Sequence, residues 1–175
     1  QMNREVRNQA DGLRLAEELA ELMRGNKATS VKLDAAQNPY LINWKAADAA
    51  LPGNLGCGLP TAASATCANA DMTAEGQSIA LRDVYEWTQR VKQKLPGAKV
   101  LVCEDATPYD AKGLPQWDCS NTGGVLVLKL GWTKSNTLRG ATGVDATDTV
   151  TANQGAFDKA LRPAILFSVT PGSNA

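Results

Sequence analysis

Residues 2–24 place Val6, Ala10, Leu13, Ala16, Leu19, Ala20 and Met23 mostly three or four positions apart. That spacing gathers side chains on one face of an α-helix, with Leu15 and Leu22 widening the face. Arg4, Arg7, Asp11, Arg14, Glu17, Glu18 and Glu21 mostly take the other side. Gly25-Asn26 is a stop signal, and Arg24 sits in the last turn, where the helix dipole favours a cation. A helix this long with so wide an apolar face must be covered by other structure, and that requirement constrains the rest of the chain. No clear N-cap or capping box opens the pattern before Val6. It therefore reads as a helix that runs in from upstream.

The remaining pattern supplies the cover. Residues 27–70 are weakly patterned, with turn signals at Asn38-Pro39-Tyr40 and Leu51-Pro52-Gly53-Asn54 and a short helix expected over 43–50. A second helix is predicted over 72–95, capped by Asp71 or Thr73 and ended by Pro96-Gly97. Its apolar stripe is Ala80, Val84, Trp87, Val91 and Leu95. Strands are expected at 98–103, 124–132 and 164–169. Polar loops join them at 104–122 and 133–162, the latter with one helical turn expected near 156–161. The order defines an α+β fold: an N-terminal amphipathic helix and a second helix on one face of an antiparallel sheet of three to four strands. At 175 residues the chain fits one domain.

Composition excludes several function classes. Lys plus Arg and Asp plus Glu both count 18, so no basic excess exists to neutralise a phosphate backbone, and nucleic-acid binding is not expected. Histidine is absent, which removes the commonest general base and metal ligand. The four cysteines, Cys57, Cys67, Cys103 and Cys119, are separated by 10, 36 and 16 positions. Zinc knuckles have much shorter spacings, so these residues read as disulfides of an oxidising compartment. Three pairings are possible. Sequential pairing, Cys57 with Cys67 and Cys103 with Cys119, is favoured because each pair brackets a polar or Gly/Pro-containing loop.

Candidate chemistry is sparse. Asp83 and Glu86 are three positions apart beside Arg82 and Arg90 and read as a solvated helix face rather than an acid–base pair. Trp87 reads as a core anchor, not as a recognition pair with Tyr85. Glu104, Asp105, Asp110 and Asp118 share one loop without an EF-hand spacing and read as solvated acids, as do Asp145 and Asp148. Ser64, Ser78 and Ser168 lie in no nucleophile elbow. Gly123-Gly124 precedes a strand and cradles no phosphate. No catalytic, metal or cofactor site is expected.

Three stretches together resemble the PilV family of type IV pilus minor pilins. Arg7-Asn-Gln-Ala-Asp-Gly-Leu-Arg-Leu-Ala16 runs into Glu18-Leu-Ala-Glu-Leu-Met-Arg-Gly-Asn26, similar to a family helix that closes on Ala-x-x-Met-Arg-x-Asn. Asp83-Val-Tyr-Glu-Trp87 followed by Leu95-Pro-Gly97 is similar to an acidic-x-x-x-Trp helix closed by Leu-Pro-Gly. Cys67 precedes that helix, and a strand follows it. The resemblance covers most of residues 7–132. It implies a non-enzymatic minor pilin that helps start or cap a pilus. Its partners would be other minor pilins and the major pilin. It would be held in the inner membrane by an upstream apolar helix, with a periplasmic domain, and would later join the extracellular fibre. Neighbouring helices would then meet Val6, Leu13, Leu15 and Leu19. Leader, cleavage site and anchor are not in this sequence. Alternatives are a minor pseudopilin of type II secretion and a secreted glycan- or surface-binding module using the loops at 104–122 and 133–162. A hydrolase would need a carboxylate pair in a cleft.

Overall fold

The computed structural model describes residues 2–46, 48, 51–52, 72–133 and 162–170. The expectations for a 57–67 loop with its Cys57 to Cys67 bond, for an Asp71 cap, and for Ser64, Asp145, Asp148 and a helical turn near 156–161 lie outside the described residues.

The first amphipathic segment forms helix α1, Met2–Gly25. Its chain turns at Asn26 and takes one further helical turn, α2, Lys27–Ser30. Asn38, fully buried, then holds the segment before the sheet. Its amide donates to the carbonyls of Ser30 and Lys32 at 3.1 and 2.7 Å, and its oxygen accepts the Tyr40 N–H at 3.0 Å. This is the Asx chemistry expected of an Asn-Pro turn.

Strand β1 is Asn43–Lys45, where a helix was expected. The Ala-rich run after residue 45 favours helix locally. However, Asn43, Trp44 and Lys45 alternate exposed, buried, exposed, a period of two that suits a sheet edge. Pairing Trp44 with Val100 places the indole in the core, and that burial outweighs local propensity.

Helix α3 spans Met72–Lys94, followed by β2 (Lys99–Glu104), β3 (Leu126–Gly131) and β4 (Ile165–Val169). The four strands form one antiparallel sheet in the order β1-β2-β3-β4. Register follows the pleat. Val100 faces Leu130, Val102 faces Leu128, and Leu126 faces Val169. These residues share a core with Leu15, Leu19 and Met23 of α1 and Val84, Trp87 and Val91 of α3. Both helices therefore lie on one face of the sheet.

Gly12 sets how closely α1 approaches. A Cβ there would lie 2.7 Å from Ile165 Cδ1 and 2.9 Å from Trp132 Cζ3, closer than carbon atoms tolerate. Two ion pairs, Arg90 with Glu18 and Lys94 with Asp11, border the α1–α3 contact. Among the described residues, no helix is long and apolar enough to cross a membrane.

Candidate functional site

The second face of the sheet is covered differently. Val127, Lys129 and Gly131 alternate with the core leucines of β3 and pair with Cys103, Leu101 and Lys99. The loop at 105–122 folds over them. Trp117 lies against Gly131, where a Cβ would come within 2.8 Å of the indole. Lys99 Nζ sits 4.3 Å from the Trp117 ring centroid, a cation–π distance. Burial holds the Lys99 ammonium below the usual lysine pKa, with repulsion from Lys45 across the β1–β2 pair adding to it.

Lys129 is the centre of this loop. Its side chain is fully buried. Nζ lies 2.5 Å from Asp105 Oδ2. It also donates to the carbonyl oxygens of Gln116, Trp117 and Asp118 at 2.9, 3.3 and 2.6 Å. Asp105 Oδ1 accepts the N–H groups of Thr107 and Ser120 at 2.9 and 3.2 Å. Burial pushes the Asp105 pKa up, but Lys129 and these two N–H groups outweigh it and hold the carboxyl below its ordinary value. A buried charge is tolerated only when paired and hydrogen-bonded in this way.

The loop is closed at both ends. Cys103 and Cys119 form the disulfide expected from their spacing. Arg162 binds Asp110 Oδ2 and the Pro115 carbonyl, both at 2.9 Å. Backbone N–H groups of Lys112 and Leu114 donate to Asp110 Oδ1, and Glu104 Oε1 accepts the Gly124 N–H at 2.5 Å. Of the loop acids expected to be solvated, Asp105 is buried and Asp118 is exposed as expected. Glu104 and Asp110 are half-buried and bond to loop N–H groups and, for Asp110, to Arg162. Cys103, Asp105 and Cys119 place potential ligand atoms within 4.8 Å of one another. Their sulfurs are bonded to each other, and the carboxylate faces an ammonium, so the group offers a metal nothing.

Asp83 also departs from the solvated expectation. It accepts the Tyr40 hydroxyl at 2.7 Å. Burial and this carboxylate raise the Tyr40 pKa. Glu86 remains exposed, and Arg90 turns to Glu18 instead. Ser78 and Ser168 stay on separate elements, α3 and β4.

The four residues expected at a helix interface separate into two pairs. Leu15 is 3% exposed and Leu19 is fully buried in the chain's own core. They are not on the surface for a neighbour to meet. Val6 is 63% and Leu13 44% exposed, and Ala10 between them is exposed as well. Positions 6, 10 and 13 share one face of a helix. The first turns therefore carry a short apolar stripe that stands exposed among the described residues.

Sequence reasoning missed Lys129. Its signal was present: one charged residue inside Leu126–Gly131, an otherwise apolar strand.

A long N-terminal helix and a second helix on a four-stranded antiparallel sheet, with a disulfide-closed loop on the sheet's other face, make a pilin-like layout. Comparison with protein-family models, with curated proteins and with solved structures finds no match to this chain.

Proposed function

We propose that the chain is the globular part of a minor pilin of a type IV pilus, non-enzymatic, acting in pilus initiation or at the tip. The observation that carries the reading is the division of α1. From Leu15 onward its apolar face is buried in the core, whereas Val6 and Leu13, on the flank of that face nearer the N-terminus, stand exposed. A helix covered at one end and apolar on its outer surface at the other suits packing against helices of other subunits. The PilV-like stretches at 7–26 and 83–97 support the same reading. In that role the partners are other minor pilins and the major pilin. The protein sits in the inner membrane with its globular part in the periplasm, then joins the fibre.

The test is genetic and biochemical. The reading requires that codons upstream of Gln1 encode about 20 apolar residues. It also requires that Val6→Asp with Leu13→Asp in the full-length protein abolish co-purification with other pilins while the fold is retained. A folded double variant that still recruits its partners sinks the proposal. Partners from a type II secretion system would instead indicate a pseudopilin.

A secreted surface-binding module draws on a different observation. Tyr109 is 53% exposed on the loop pinned by Lys129, the disulfide and Arg162. Exposed aromatics on rigid loops are common recognition elements. Glycan binding lost on Tyr109→Ala would favour that reading.

A further inference from the structure

We propose that Lys129 is a positioning residue for the Cys103–Cys119 disulfide: its ammonium gathers both flanks of the ring before the sulfurs are joined. Lys129 stands on β3, which pairs on both sides, opposite Leu101 of β2 and Leu166 of β4. Its backbone is therefore among the best-anchored in the sheet. From there Nζ reaches Asp105, two residues beyond Cys103, at 2.5 Å. It also takes the carbonyls of Gln116, Trp117 and Asp118, the three residues that lead into Cys119. Three consecutive carbonyls converging on one ammonium turn the chain so that residue 119 falls beside residue 103.

An apolar side chain at 129 would fill the same space without this effect. It would leave three part-buried carbonyls and a buried carboxylate short of donors. The chain between the cysteines, a sequence separation of 16, would then close as a flexible loop, whose effective concentration is only millimolar. Holding 105 and 116–118 on one cation removes most of that search.

The chemical step needs an external oxidant, taken here as glutathione disulfide. One thiolate attacks it, forming a mixed disulfide and releasing one glutathione. The second thiolate attacks the protein sulfur of that mixed disulfide and releases the second glutathione. The two thiol protons pass to solvent and the leaving thiolates. Lys129 acts on the second, intramolecular step by setting the distance between the two cysteines.

The experiment equilibrates the whole chain in glutathione redox buffers and reads the Cys103–Cys119 pair by differential alkylation and peptide mapping, which separates it from Cys57 and Cys67. Lys129→Met is expected to lower the equilibrium constant for this disulfide at least tenfold. Lys99→Met, on the neighbouring strand and the same face, is expected to leave it within twofold. A Lys129→Met protein with parental circular dichroism and a parental constant would overturn the proposal. Should Lys129→Met not fold, Asp105→Asn reads the same contact. A drop of threefold or more is expected there, and an unchanged constant overturns the proposal. Order is tested in Cys103→Ser/Cys119→Ser. Lys129 should remain protected from amine acylation relative to exposed Lys112. Equal labelling would mean that the disulfide builds the cage instead, and the proposal fails.

Discussion

Trp87 donates its indole N–H to the backbone carbonyl of Leu15 at 2.8 Å, fully buried and 72 positions apart in the chain. One side chain of α3 thereby fixes the height and rotation of α1 on the sheet. Trp87→Phe removes the donor and part of the volume. It should destabilise by about 2 kcal/mol, combining a lost buried hydrogen bond with a small cavity. The shift in urea midpoint at unchanged slope measures it.

Leu15 and Val6 lie on the same helix but in opposite surroundings. Leu15→Asp places a carboxylate in the core and should prevent folding, a loss above about 4 kcal/mol. Val6→Asp should change stability by less than about 0.5 kcal/mol, because that side chain already faces water. Circular dichroism and thermal melts of the two variants settle the comparison. Similar losses in both would mean that Val6 is covered.

Two glycines of α1 should respond to alanine with opposite signs. Gly25 has open space around a new Cβ, and its φ is not positive. Gly25→Ala should therefore stabilise by about 0.5 kcal/mol through helix propensity and chain entropy. Gly12→Ala gains the same propensity. Its methyl, however, meets the Trp132 ring and Ile165, and the overpacking should leave a net loss of about 1 kcal/mol. Paired melting curves would show the opposite shifts.

Acid should loosen the second face of the sheet. The folded pKa of Asp105 is held below the ordinary value of about 3.9. Its stabilising contribution is therefore complete above that value and is lost as pH falls through the folded pKa. The parent should lose more stability than Asp105→Asn between pH 7 and about 2.5. At pH 7 the variant should already be weaker by about 3 kcal/mol, because Lys129 has lost its carboxylate. Parallel urea titrations at the two pH values test both statements.

The two long helices, three of the four strands and the Cys103–Cys119 bond were legible because each rests on local signals. These are a 3.6-residue apolar period in α1 and α3, short apolar runs bounded by turn residues, and cysteines bracketing a polar loop. Strand β1 was not legible. Three residues beside an Ala-rich run carry too little local signal, and their state depends on a pairing with Val100 more than fifty positions away. The same limit applied to Asp83 and Asp105. In sequence each looks like a surface acid. Tyr40 and Lys129, which determine their burial, are distant in the chain.

The sequence by itself determined the two long helices and three of the strands, that the fold is α+β, and a preference for a disulfide between Cys103 and Cys119. Those properties follow from backbone periodicity and from residue types within a few positions. Only the tertiary structure decided which side of α1 is core and which is surface. It separated Leu15 and Leu19 from Val6 and Leu13, although all four belong to one broad apolar pattern. The physical reason is that a helix presents its whole circumference, whereas a sheet covers only one side. Which side is covered depends on where Gly12 admits Trp132 and Ile165 and where Trp87 grips Leu15.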